Sequence, residues 1–225
     1  MAGEGSDVAS ECQLPKGRRG RTMERKRHLK LNDLADWQEI AALEQTYGPF
    51  LRQHYRLKVR RPHLEYWGEK VLYDRRGEVV LVVQRDSKEV LLHTKVFYPS
   101  GIYRLPSGGV SWGEGVVDAL RREVREETGF TSRNEQPLGL ISYDFERGSR
   151  SVPFVSYVFL LAGVEGQPAV HDEGERISGF RWVPVSELGA VAEALCSLPE
   201  DSPGRQDWGR FRALVHEFVA QLLSF

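Results

Sequence analysis

Apolar and polar positions change period several times along the 225 residues. Residues 1–28 carry Gly, Ser and charge with almost no large apolar side chains, a composition that cannot repay the entropy of ordering and predicts a disordered basic tail. From Asn32 onward, Leu34, Trp37, Ile40 and Ala41 recur at helical spacing, with Asn32 or Asp33 placed to cap and Gly48-Pro49 placed to stop the helix. Residues 52–61 then alternate basic and apolar, so residues 29–60 read as a helical N-terminal extension. Runs rich in Val and Leu at 70–74, 79–84 and 89–94 predict strands. The turn-forming pairs Arg76-Gly77 and Asp86-Ser87 between them imply a meander or hairpin.

Residues 102–105 form a short segment that leads through Pro106 into a Gly-rich loop. Residues 116–128 follow as a helix that Gly129 can end in the left-handed conformation. Further strands are expected at 138–145, 152–161 and 180–183, with a helix opening at 185–188 and running through Leu195. Residues 196–225 form a terminal amphipathic helix: Trp208, Phe211, Leu214, Val215, Phe218, Val219 and Leu222 fall at i, i+3, i+4 spacing. Its stripe needs a partner, either the core of the chain or a second subunit in a homodimer. Strands mixed with helices give an α/β class.

Composition narrows the function. Apolar residues at 40% and charged residues at 28% match an ordinary soluble domain with a core. The net charge of −1 excludes a uniformly basic nucleic-acid binder. Residues 1–30 nevertheless hold eight Lys or Arg against four Asp or Glu, so any nucleic-acid contact is confined to the tail. No apolar run reaches the roughly 18 residues of a membrane span, and a cytoplasmic location is expected. Two cysteines far apart, Cys12 and Cys196, speak for reduced thiols rather than a disulfide framework. The histidines show no H-E-x-x-H spacing, so zinc is not suggested.

The chemistry concentrates in GGVSWGEGVVDALRREVREETGF, beginning at Gly108. At 100° per residue Glu123, Glu126 and Glu127 share a helical face, where like charges at i, i+3 and i, i+4 each destabilise the helix by roughly 0.2–0.5 kcal/mol. A positive partner is therefore expected. Carboxylates converging beside a Gly-rich turn make an all-oxygen site of the kind that Mg²⁺ or Mn²⁺ prefers. An acidic solvated face, balanced by Arg121, Arg122 and Arg125, is the plainer alternative.

This segment resembles the Nudix box, G-x5-E-x7-R-E-U-x-E-E-x-G-U with U bulky and apolar. Gly108, Glu114, Arg122, Glu123, Val124, Glu126, Glu127, Gly129 and Phe130 satisfy every position, where chance would do so on the order of once in 10⁸ tries. VVLVVQR, RLPSGG and FRWVPVSEL extend the likeness across residues 61–195, which are expected to be the hydrolase domain; Ser107 stands where many relatives have glycine. The resemblance implies a Nudix fold, a mixed β-sheet sandwiched between helices, here with added N- and C-terminal helices. It also implies a metal-dependent pyrophosphohydrolase that cleaves a phosphoanhydride in a nucleoside diphosphate linked to another moiety.

Carried onto these residues, the resemblance makes Glu123, Glu126 and Glu127 metal ligands, Glu127 also the group that orients or activates water, and Arg122 the partner that fixes Glu114. Gly108 and Gly109 would allow close backbone approach, and Arg85 and Arg104 could grip phosphate. Glu173 and Glu175 would be further carboxylates near the reaction, and Tyr98, Tyr103, Trp112 or Tyr143 could stack on a base. His93 reads as a strand residue rather than a ligand. A catalytically silent sensing or interaction module and a diphosphate-ester isomerase are the rival readings.

Overall fold

A computed structural model describes residues 29–85, 88–131 and 134–224. The tail, Cys12 and the Asp86-Ser87 turn lie outside these residues. The N-terminal helix is two helices, α1 (Leu31–Leu34) and α2 (Trp37–Tyr47). Ala35 takes an extended conformation between them, and the cap is Asp36, whose carboxylate accepts from the Gln38 and Glu39 N–H groups. Gly48 ends α2 with φ of 86°, as its place before Pro49 predicts.

The basic and apolar alternation that follows is a strand, β1 (Leu51–Lys58), so the segment read as a helical extension supplies part of the main sheet. Residues 70–74, read as a strand, instead lie at the end of α3 (Arg61–Tyr73). Leu64, Trp67 and Val71, at i, i+3 and i+7, are all buried along one face of α3, and that packing overrides the local strand preference of Val71 to Tyr73. Strand β2 (Arg75–Val83) begins at once. Gly77 marks a shift in its register rather than a turn, because a Cβ there would meet Val155 Cγ1 at 2.6 Å.

Five strands form a mixed sheet in the order β1-β5-β6-β2-β4, with β4 spanning Ser107–Ser111, β5 Glu135–Arg147 and β6 Arg150–Leu161. The expected Gly-rich loop is thus strand β4, antiparallel to β2 with Gly108 opposite Val79 and Gly109 opposite Glu78. The expected hairpin is reduced to its turn end: just after β2, Gln84 forms an antiparallel bridge with Val90 of β3 (Glu89–Lys95) and the Arg85 N–H donates to Glu89 O, after which β3 pairs antiparallel with β7 (Ile177–Pro184) in a second sheet of two strands.

Side chains alternate along a strand. Tyr143 and Phe145 of β5 and Phe154 of β6 therefore share one face, where they meet Trp67 of α3 and Phe211 of α6 (Arg205–Leu223), the helix that follows α4 (Val116–Glu123) and α5 (Leu188–Cys196). Tyr157 lies on the other face. Its hydroxyl accepts from Arg76, which also donates to Leu34 O of α1 and Glu39 of α2, so helices cover the sheet on both sides. The stripe of the terminal helix is settled too, since Phe211, Val215, Phe218 and Val219 are buried against the chain's own core.

Candidate active site

Helix α4 (Val116–Glu123) buries Val116, Ala119 and Leu120 and carries its polar residues outward. It passes into a π-helical turn, Val124–Thr128, which Gly129 closes at φ of 74° in the left-handed region. The wider i→i+5 bonding of a π turn advances less per residue than the α turn, and such turns occur often at functional sites. Glu127 stays beside Glu123 on the inward side, while Glu126 pairs with Arg122, its i, i+4 neighbour.

The acidic cluster differs from the expected one. Oxygen atoms of Glu123, Glu127 and Glu175 all lie within 4.8 Å of one another. Glu126 is not part of this group; it is half-buried and accepts from Arg122 at 3.1 Å. Glu175 reaches the cluster from a short 3₁₀ turn, Glu173–Glu175, capped by Asp172, and Glu173 in the same turn stays exposed.

Two cations answer the repulsion that the sequence exposes. Arg122 donates to Glu114 through Nε at 2.9 Å, to Glu123 at 2.7 Å and to the Gly109 carbonyl at 2.8 Å. Glu114 also accepts from the Ser111 N–H at 3.0 Å. Lys95, the last residue of β3, places Nζ 3.0 Å from Glu127 and 2.5 Å from Glu175. Burial opposes the charge on Lys95, but Glu127 and Glu175 outweigh it and hold the ammonium above its ordinary range. Burial pushes the Glu127 carboxyl up to about 8 against the pull of Lys95 and Arg104, and raises Glu123 against the pull of Arg122.

These residues fit a divalent cation. The three carboxylates are the hard oxygen donors such ions take. One oxygen of Glu123 and one of Glu127 are buried without a hydrogen-bond partner, a costly state that a cation or its water would relieve. Added positive charge would also offset the burial that raises Glu127.

Gly108 makes the approach of Glu123 to β4 possible, because a Cβ there would lie 1.7 Å from the Glu123 carboxyl carbon. At Gly109 a Cβ would meet the Arg75 guanidinium at 2.7 Å. The cluster borders a cavity of about 570 Å³ lined by both glycines, Glu123, Glu175 and five cations, Arg75, Lys95, Arg104, Arg205 and Arg212.

A family model described as the NUDIX domain matches residues 71–201, more than half of the chain. The chain belongs to the Nudix hydrolase family. An ADP-ribose pyrophosphatase of Methanocaldococcus jannaschii is 31% identical over 99 residues, which cover 44% of this chain and 57% of that protein. An RNA pyrophosphohydrolase of Ruthia magnifica is 39% identical over 74 residues, covering 31% of this chain and 40% of that one. The chain thus spans about half the length of these curated relatives. Among solved structures, the dihydroneopterin triphosphate pyrophosphohydrolase of E. coli is similar at 20% identity with a TM-score of 0.43, over 62% of this chain and 97% of that one.

Outside the Nudix box the expected residues separate. Arg104 lines the cavity but is buried and engaged, donating to Leu105 O, to Ser107 and to the Tyr98 hydroxyl. Arg85 does not line it; at the end of β2 it pairs with Glu89 and stacks on Trp182 with its guanidinium 4.8 Å from the ring centre. Of the aromatic candidates Tyr98 borders the cavity, Tyr143 is in the core and Trp112 donates to Val71 O. Tyr103 is not among the lining residues. His93 is a buried β3 residue, 3.9 Å from Glu127, which burial keeps neutral.

Lys95, Arg75 and Arg212 of this Nudix site escaped the sequence reading. His93 and Lys95 sit two apart in LLHTK, on one face of a strand that opens with the apolar run Val90, Leu91 and Leu92 after Glu89, and that change to polar groups was the available signal. Arg212 lies within the apolar stripe of α6, where it donates to both carboxylate oxygens of Glu78 at 2.8 Å and ties the helix to β2.

Proposed function

We propose that this Nudix protein is a divalent-metal-dependent pyrophosphohydrolase, using Mg²⁺ with Mn²⁺ as a substitute. Its substrate is a nucleoside diphosphate linked to a further group. The observation that carries this reading is the trio Glu123, Glu127 and Glu175 at the border of a cavity whose charged lining is five cations against two carboxylates. Such a lining suits a polyanion, and the trio suits the cation that a diphosphate brings or requires.

Glu123, Glu127 and Glu175 would hold the ion, which supplies charge neutralisation and Lewis acidity at the phosphoryl oxygens. The remaining work falls to the chain. Glu127 orients the attacking water and receives a proton from it. The water oxygen bonds to phosphorus, the bridging P–O bond breaks, and its electron pair leaves with the departing phosphate. Arg122 keeps Glu114 and Glu123 in place, a positioning role. Lys95 gathers Glu127 and Glu175 on one side of the trio.

A panel of nucleoside triphosphates, dinucleotides and nucleotide sugars, incubated with Mg²⁺ and then Mn²⁺ with products resolved, tests the proposal. The expected result is two phosphorylated products from at least one class, dependent on the ion. Binding without turnover across the panel would favour the sensing module, and rearrangement without cleavage the isomerase.

A further inference from the structure

The apolar part of the cavity lining has an unusual make-up. Of 21 lining residues, five are Phe, Trp or Tyr, against 10% in the chain as a whole, and none is Leu, Ile, Val, Ala or Met. Apart from three prolines, every large apolar surface that a ligand meets there is therefore an aromatic ring. The rings come from three elements. Tyr66 and Trp67 stand on α3, with ring centres 5.3 Å apart. Phe97 and Tyr98 follow β3, and Tyr98 contacts Trp208 in the first turn of α6 at 5.0 Å.

Tyr66 and Phe97 are 55% and 54% exposed. Exposing ring surface beside a cavity forgoes burial that folding would otherwise gain, and rings present a face on which a planar π system can stack. Resting on the phosphoanhydride reading, we infer that the part of the cavity between α3 and α6 is a stacking subsite for a nucleobase, with Trp208, Tyr98 and Phe97 as its principal rings. Tyr66, Trp67 and Trp208 lie outside the NUDIX match, which begins within α3 and ends before α6, so this chain's own extensions complete a subsite whose other rings, Phe97 and Tyr98, lie within the match. An isoprenoid or acyl chain would find only the three proline rings as aliphatic surface there.

Calorimetric binding, in millimolar Mg²⁺ and without turnover, tests the inference with AMP, GMP and CMP against ribose 5-phosphate and butyl phosphate. At least one nucleotide is expected to bind about tenfold or more tightly than ribose 5-phosphate, in keeping with stacking of a single base. Trp208→Leu should remove most of that advantage while leaving ribose 5-phosphate unchanged. Phe97→Leu, on an exposed turn where folding is not at stake, should move affinity in the same direction. Nucleotides no tighter than ribose 5-phosphate, butyl phosphate as tight as the best nucleotide, or both variants unchanged would overturn the subsite. Metal-dependent hydrolysis persisting alongside such a result would leave the phosphoanhydride reading standing.

Discussion

The two walls of the cavity are built on opposite principles. On the wall formed by β4, α4 and the π turn, Glu123 and Glu127 are buried, each is held by a named cation, and Gly108 admits no added atom. On the wall formed by α3, the turn after β3 and the start of α6, Tyr66 and Phe97 stand half exposed, while Trp67 behind them is buried in the core. A group that neutralises charge and positions water must be held to within fractions of an ångström, so its surroundings are dense and over-determined. A surface that selects a substrate by stacking tolerates adjustment. The first wall should therefore control turnover and the second affinity.

Breaking the first wall should produce the largest effects. Glu127→Gln keeps the shape of the side chain but removes the proposed ligand and proton acceptor, and should lower kcat by at least about 10²-fold with little change in KM. Steady-state kinetics on the substrate that the panel identifies would check it, and near-normal turnover would remove Glu127 from the chemistry. Gly108→Ala attacks the same wall through packing alone. Its Cβ must displace the Glu123 carboxyl, so turnover should fall by a comparable factor, with a stability loss of about 1–3 kcal/mol in thermal melting. An active, fully stable Gly108→Ala protein would show that the approach of Glu123 to β4 is dispensable.

The smallest effect sharpens the comparison from outside both walls. Arg85 was a candidate phosphate ligand by sequence, yet it pairs with Glu89 and Trp182 and does not line the cavity. Arg85→Ala should leave kcat and KM within about twofold and shift stability by no more than about 1 kcal/mol, as for other partly exposed ion pairs. A tenfold rise in KM would bring Arg85 into the site.

The two walls also differ in how far the sequence revealed them. The box could be read because its chemistry is local: Gly108 to Phe130 is one continuous strand, helix and turn, with its glycines and carboxylates at fixed spacing. Even there the π turn was invisible. An i, i+3, i+4 count at 100° per residue placed Glu126 with the other two carboxylates, whereas it pairs with Arg122, its own i, i+4 neighbour, and Glu175 arrives from a loop 48 residues beyond Glu127. The second wall is assembled from segments more than a hundred residues apart, Tyr66 and Trp208 among them, whose meeting depends on tertiary packing. Arg212 illustrates the limit. Its pattern is that of one polar residue in an apolar helical stripe, and only the pairing of Glu78 with Ser156 across β2 and β6 puts a carboxylate beneath it.

Thermal melting of the wild type and of Glu123→Gln/Glu127→Gln, each in chelator and in millimolar Mg²⁺ at matched ionic strength, tests the central claim that these buried carboxylates hold the divalent ion. Matching ionic strength separates binding from general screening. The wild type should be stabilised by Mg²⁺ by about 1.4 kcal/mol at ten times Kd, following RT ln(1 + [L]/Kd). The double variant should melt at the same temperature in both buffers. Equal Mg²⁺ shifts in the two proteins would contradict the assignment and place the metal elsewhere.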